Sequence, residues 1–426
     1  MTYNEALEYI HSISWTFCKP GLERIEELCS RLGDPQKKLR FVHVAGTNGK
    51  GSFCSMLSSV LRKSGLKVGL YTSPYIRFFN ERMCVDGEPI SNEELAELCE
   101  YIMPISDSMT DKPTEFELIT AIAFEYFCRH SCDVVVLEAG MGGRLDSTNI
   151  IRNPYLSVIT GIALDHTAFL GDTVEKIAAE KAGIIKDNAP VLFGGDDENA
   201  ASVIGAKAKE MGSPFYRTRY GELVNIRPSL DGTVFDFGED KNIAIRLLGA
   251  YQPRNAANVI EAVRILRNRG LDISEHALRE GLEASTWQGR FEIICRDPLM
   301  IFDGAHNPQG ISSAVESIKT YFGDKKVYLL TGVLRDKDYS AIAKDLSEVA
   351  QKAFTITPDS PRALSSDEYA ETLRGAGIEA TAFAELSEAL KFSMTAARKD
   401  NVPLVCLGSL YVYSSLMGEM EKLNIL

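Results

Sequence analysis

An excess of positive charge, a long apolar run, a paired-cysteine spacing and a leader segment are all missing from this sequence, and each absence removes a class of function. The 46 Lys and Arg are outnumbered by 59 Asp and Glu, which leaves a formal net charge of −13. The isoelectric point is near 5.1. Nucleic acids and anionic membranes demand a basic patch to neutralise phosphates, so neither is expected as a partner, and any phosphate must be held locally against the global field. No run of about 18 apolar residues is present to span a bilayer. The opening MTYNEALEYIHSISW mixes charged and apolar residues at helical spacing. It lacks the basic and apolar regions of a secretory signal, so the expected location is the cytoplasm. The nine cysteines, Cys18, Cys29, Cys54, Cys84, Cys99, Cys128, Cys132, Cys295 and Cys406, are odd in number and include no C-x-x-C pair. They read as reduced packing residues rather than a zinc or redox centre. Tandem repeats and low-complexity linkers are also missing.

What is present is enough for two cores. Chains beyond roughly 250 to 300 residues tend to split, so 426 residues imply a larger and a smaller domain. A composition of 45% hydrophobic and 25% charged residues supports a full core in each. The first strand is read over Leu39 to Ala45, followed by GTNGKGS and by Phe53, Met56, Leu57, Val60 and Leu61 at helical spacing, ending at Ser64-Gly65. Lys67 to Tyr71 resumes as a strand. Helices are expected over Asn92 to Ile102 and Glu115 to Arg129, and buried strands over Asp133 to Glu138, Leu156 to Thr160 and Val191 to Phe193. Apolar strands separated by helices indicate a parallel sheet covered on both faces. Short alternating segments between Met211 and Leu247 predict a small antiparallel patch. After a helix over Arg254 to Arg269, a new α/β alternation begins with LMIFD and continues through KVYLLTG, AFTIT and VPLVCLG. The expected fold is thus α/β: an N-terminal, mostly parallel phosphate-loop domain over 1–296 and a smaller Rossmann-like α/β domain over 297–426.

A loop between a strand and a helix N-terminus presents unpaired backbone N–H groups and the positive end of the helix dipole, which together bind phosphate. Gly46, Gly49 and Gly51 allow close approach, Lys50 supplies a point charge, and the Ser52 hydroxyl can face phosphate or magnesium. The strict G-x-x-x-x-G-K-[ST] pattern fails twice, at Val44 and at Gly51, which follows the lysine where Ser or Thr is usual. A second cluster, Gly140-Met-Gly142-Gly143-Arg144-Leu145, follows a strand but departs from the dinucleotide fingerprint at Leu145. There Glu138, at the strand's carboxyl end, is the more informative residue, because ligands of open α/β sheets collect at those ends.

Beyond these local readings, the ordered set GTNGKGS, TSP at 72–74, FNER at 79–82, TEFE at 114–117, LEAGMGGRLDSTN at 137–149, LDHTAFLG at 164–171 and EKAGIIK at 180–186 stands out. With GRFE at 289–292, DGAHNP at 303–308, DKDY at 336–339 and GSLY at 408–411, it closely resembles the folylpolyglutamate synthase and dihydrofolate synthase family, a branch of the Mur ligases. The resemblance covers nearly the whole chain. It implies ATP-driven activation of a carboxylate as an acyl phosphate, followed by attack of the glutamate amine. The substrates implied are ATP, L-glutamate and a folate or dihydropteroate, with Mg2+ as cofactor.

Position by position, the resemblance places Gly49, Lys50, Gly51 and Ser52 on the triphosphate and Asn255, Arg290 and Asp303 on ATP. It matches Ser73, Glu138 and His166 to magnesium ligands, with Lys181 carried as a carbamate that adds an oxygen ligand. Lys50, Lys181 and His166 are thereby the catalytic candidates. Thr114, Glu115, Phe116 and Glu117 match a folate-contacting segment, and Pro20 to Arg24 (PGLER) resembles the LGLER stretch of the dihydropteroate site, with proline where leucine is usual. Arg290 and Asp303 flank the expected boundary, which implies nucleotide between the domains. His306 lies close by in sequence. A monomer is expected. Two other readings compete. A cell-wall Mur ligase would carry a domain before the loop, whereas only 45 residues precede Gly46. A phosphate-loop switch would hydrolyse nucleotide with neither carboxylate nor amine.

Overall fold

The computed structural model describes residues 1–13, 20–165 and 167–425, and the chain divides into two compact units. The first comprises Met1–Leu223 and Arg254–Ser285, the second Val224–Pro253 and Thr286–Leu426. No helix among the described residues is long and apolar enough to cross a membrane.

The first unit holds eight strands: β1 (Phe41–Ala45), β2 (Val68–Tyr71), β3 (Met83–Val85), β4 (Glu88–Pro89), β5 (Val134–Glu138), β6 (Leu156–Ile159), β7 (Val191–Phe193) and β8 (Phe215–Arg217). Their order is β4-β3-β2-β5-β1-β6-β7-β8, with every neighbouring pair parallel except β2 with β3 and β3 with β4. All five residues of β1 and of β5 are buried, as strands covered on both faces must be. The helices are α1 (Tyr3–Ser12), α2 (Glu23–Arg31), α3 (Lys50–Lys63), α4 (Asn92–Asp107), α5 (Glu115–Arg129), α6 (Thr167–Leu170), α7 (Val174–Ala182), α8 (Glu198–Glu210), α9 (Gln252–Asn268) and α10 (Glu275–Ala284). One apolar cluster lies under α1, α2, α4 and α5 and another under α7 and α8, on either side of β1. Helix α4 runs five residues past its expected end, through Pro104 to Asp107, with Ile102 and Ser106 still buried.

Register fixes where the loops emerge. Val44 pairs with Glu138, Ala45 with Ile159 and Tyr71 with Leu137, so β1, β2, β5 and β6 end at one edge. The chain fills β2 and β5 on one side of β1, then β6, β7 and β8 on the other. The topological switch point, where such sheets bind ligands, therefore lies at β1.

The second unit carries an antiparallel three-stranded sheet, β9 (Leu223–Ser229), β10 (Gly232–Phe237) and β11 (Asp240–Ile245). The expected patch is thus shorter than 211–247, because Phe215–Arg217 joins the large sheet parallel to β7. A six-stranded sheet follows: β12 (Glu292–Arg296), β13 (Leu299–Asp303), β14 (Val327–Thr331), β15 (Ala350–Thr355), β16 (Glu379–Ala382) and β17 (Leu404–Leu407), in the order β12-β13-β17-β14-β15-β16. All are parallel except β12. A boundary at 296/297 would cut the hairpin in which Arg296 pairs with Leu299. The compact division instead falls at Ser285/Thr286, and the segment 224–253 joins the second unit.

Candidate active site

The loop after β1 is built by backbone necessity. Gly46 has φ 153° and Gly49 φ 84°. A side chain at Gly46 would strike the Thr160 hydroxyl, and one at Gly49 would lie 2.7 Å from Asn255 Oδ1. The loop is tied to the strand beside it, since Thr47 N donates to Gly161 O at 2.8 Å and Thr160 Oγ1 to Asn48 O at 2.8 Å. Helix α3 opens at Lys50 with no side-chain cap on its first N–H groups. A helix N-terminus carries the positive end of the helix dipole, which favours an anion. Ser52 is buried one turn in.

Two lysines converge on this loop. Lys50 Nζ donates to Gly46 O at 3.0 Å and stands 4.0 Å from Glu138 Oε1. Lys181 Nζ, from the last turn of α7, donates to the same Gly46 carbonyl at 2.8 Å. The sequence alone suggests a solvated helix lysine at 181, yet the residue is buried. Burial, then the neighbouring Lys50 charge, lowers its pKa to about 7. The glycine cluster after β5 accounts for this placement. A side chain at Gly143 would come within 2.9 Å of the Glu180 and Lys181 carbonyls. Arg144 N donates to Glu180 O at 2.8 Å, which docks the loop on the helix end. Gly143 serves the approach of α7, a role its spacing did not reveal.

Glu138 is buried at the end of β5, and its Oε2 accepts from Ser73 N at 3.1 Å. Ser73, Glu138, Lys50 and Lys181 are thus joined through the loop. Among the described residues no group of three or more His, Cys, Asp or Glu could hold a metal ion. His166, expected to complete the magnesium set, lies outside the described residues. Asn255 sits against Gly49.

The TEFE segment caps a helix. Thr114 is the N-cap of α5, and the Glu117 carboxylate returns to accept from Thr114 N at 2.6 Å. Both Glu117 oxygens also accept from Arg24, at 2.9 and 3.0 Å, in a buried bidentate pair. Glu117 is therefore committed, and Glu115 pairs with His11 at 2.9 Å. Phe116 lies over Gly140 and 6.2 Å from the Tyr71 ring. Of the four residues it is the one turned to the loop after β5.

In the second unit Asp303 is buried and accepts from Tyr251 Oη at 2.9 Å, Phe291 N at 3.1 Å and Ala305 N at 2.8 Å. Burial raises its pKa from the ordinary carboxylate value, and Arg290 opposes the rise. The Arg290 guanidinium lies 2.4 Å from where a Gly304 side chain would stand. His306 Nδ1 meets Gly304 O at 2.8 Å.

A buried relay under the first-unit site escaped sequence reasoning. His43 Nε2 meets Thr148 Oγ1 at 2.8 Å, Thr148 donates to Asp146 Oδ1 at 2.5 Å, and Asp146 Oδ2 accepts from Met141 N at 2.9 Å. The positions are up to 105 residues apart, so local pattern carries no signal of their meeting.

Residues 44–263 match the Mur ligase middle domain, and 289–409 the Mur ligase glutamate ligase domain. The chain is 38% identical to the dihydrofolate synthase/folylpolyglutamate synthase of Bacillus subtilis over 98% of this chain and 99% of that one. It superposes on folylpolyglutamate synthase from Thermotoga maritima with TM-score 0.86 at 32% identity, covering 100% of this chain and 98% of the other. For E. coli FolC in complex with DHPP and ADP the TM-score is 0.87 at 31% identity, covering 100% and 99%.

Proposed function

Because the chain belongs to the folylpolyglutamate synthase and dihydrofolate synthase family of the Mur ligases, we propose that it joins L-glutamate to a folate at the expense of ATP. The observation that carries this reading is the convergence of Lys50, Lys181, Glu138 and Ser73 on one phosphate loop at the switch point of the sheet.

A carboxylate oxygen of the folate attacks the γ-phosphorus of ATP, the bond to the β-phosphate oxygen breaks, and ADP leaves an acyl phosphate. The uncharged glutamate amine then attacks the carbonyl carbon. The tetrahedral intermediate collapses with loss of phosphate and the amine proton to give the amide. Negative charge accumulates on the transferring group, so preset donors supply most of the rate. Those donors are the N–H groups of Gly49, Lys50, Gly51 and Ser52 with the Lys50 ammonium, and Asn255 borders them. Arg290 and Asp303 are the further nucleotide contacts of the reading, and Thr114 to Glu117 its folate segment, with Phe116 the ring turned toward the site.

The Ser73 hydroxyl and Glu138 carboxylate are hard oxygen donors of the kind magnesium takes, so the residues present fit that ion. Lys181 fits as its carbamate: with a pKa of about 7, its amine is substantially uncharged at neutral pH and can add carbon dioxide with release of one proton. When bound, magnesium neutralises phosphate charge. His166 completes the proposed set. The protein acts in the cytoplasm as a monomer, which light scattering on eluted protein checks.

The test is phosphate release from ATP and magnesium with and without glutamate and tetrahydrofolate, joined to mass spectrometry of the products. Release requiring both substrates, with a glutamyl mass gain on tetrahydrofolate, supports the ligase. Release independent of both would establish a nucleotide-hydrolysing switch instead. A gain on dihydropteroate as well identifies the second activity.

A further inference from the structure

Arg82 is a cation without a counter-ion among the described residues. It closes the turn Phe79–Arg82, and its carbonyl accepts from Thr72 N at 2.9 Å, which places it beside Ser73 at the carboxyl edge of the sheet. Its guanidinium carbon lies 5.1 Å from the Tyr75 ring centre and 5.6 Å from that of Phe79. Nε is buried with no hydrogen-bond partner, and no ion pair reaches the group among the described residues.

The nearby acids are occupied. Glu81 accepts from Ile76 N, Arg77 N and Phe78 N at 2.8, 3.1 and 3.0 Å, shaping the loop that carries Tyr75 and Phe78. Glu115 holds His11, Glu117 holds Arg24, and Glu138 accepts from Ser73. Ring faces compensate a guanidinium only in part, and a buried donor ordinarily has a partner. Arg82 is also the main charge opposing the burial-driven rise of the Tyr71 pKa. The Tyr71 ring lies 6.2 Å from that of Phe116, in the segment that the ligase reading gives to folate.

The planar fork of arginine matches a carboxylate in two parallel hydrogen bonds, and the exposed rings of Tyr75 and Phe78 provide an apolar shelf beside it. We propose that Arg82 binds a carboxylate of the folate-side substrate and so determines which substrates the site accepts. The inference rests on the ligase reading. A folate ending in glutamate offers the reacting carboxylate and a second one that does not react, whereas dihydropteroate offers the reacting one alone.

Titration calorimetry of tetrahydrofolate and of dihydropteroate on the wild type, R82Q and R82K reads this directly, with thermal midpoints and ATP affinity measured alongside. The expected result is at least tenfold weaker binding to R82Q, unchanged ATP affinity and midpoint, and partial recovery in R82K. Weakening for tetrahydrofolate alone assigns the non-reacting carboxylate; weakening for both assigns the reacting one. Equal affinities in the wild type and R82Q overturn the proposal, as does failure of the wild type to bind either ligand, or loss of ATP affinity and midpoint in proportion. Failure of the ligase reading would show separately, as an absence of glutamyl mass gain in the wild type.

Discussion

Lys181 and His43 show how burial changes what a titratable side chain can do. At Lys181 the uncharged amine is the species that adds carbon dioxide. A carbon-13 resonance of a carbamate is expected when the wild type is supplied with labelled bicarbonate and is expected to be missing in K181M, whose ligase rate falls by about 100-fold or more, as for loss of a metal-site group. An equal resonance in K181M removes the carbamate. At His43, burial and then the Lys186 charge lower the imidazole pKa to about 3, against about 6.5 in an unfolded chain. Between those values the unfolded state binds a proton that the folded state refuses, so this residue's contribution to stability falls as pH drops through 6.5 toward 3. H43Q keeps a hydrogen bond to Thr148 without the proton. Its urea midpoint, measured from pH 7 down to pH 4, is therefore expected to fall less steeply than that of the wild type. Parallel slopes would contradict the assignment.

At the scale of elements, the most consequential join is α2 to α5. Arg24 and Glu117 are both buried, 93 residues apart in sequence, and Glu117 closes the capping box of α5 as well. Removing one partner of a buried pair leaves an unpaired charge and costs about 3 to 5 kcal/mol. E117A is expected to lower unfolding stability by that amount with an unchanged urea slope. Adding R24A should cost less than the sum of the two single changes, because the second charge is then removed too. Additive losses would mean that the two residues do not act as a pair. The same joining of distant parts recurs where Gly143 admits α7, carrying Lys181 to the Gly46 carbonyl.

At the scale of the molecule, an acidic chain gathers positive charge locally at the loop after β1. The net charge is −13, yet at the loop two lysines and an uncapped helix N-terminus meet. A ligand that binds only the folded state at 100 times its dissociation constant stabilises by about 2.7 kcal/mol. A non-hydrolysable ATP analogue with magnesium is expected to raise the thermal midpoint of the wild type accordingly, and K50A should lose most of that shift. A full shift in K50A would exclude the loop as the nucleotide site.

The strand–glycine loop–helix arrangement at 41–63 was legible in the sequence because strand, glycines, lysine and helix are contiguous, so the backbone physics that shape it are local. The α/β class followed from apolar strands alternating with helices for the same reason. Tertiary structure alone decided that Lys181 is buried against Gly46, that Asn255 leans on Gly49, that Glu117 is spent on Arg24, and that Arg82 meets two rings and no acid among the described residues. Each depends on chain segments that approach only when the sheet is assembled. Burial and electrostatic neighbourhood, which set the charge of a lysine or the availability of an arginine, are properties of that assembly.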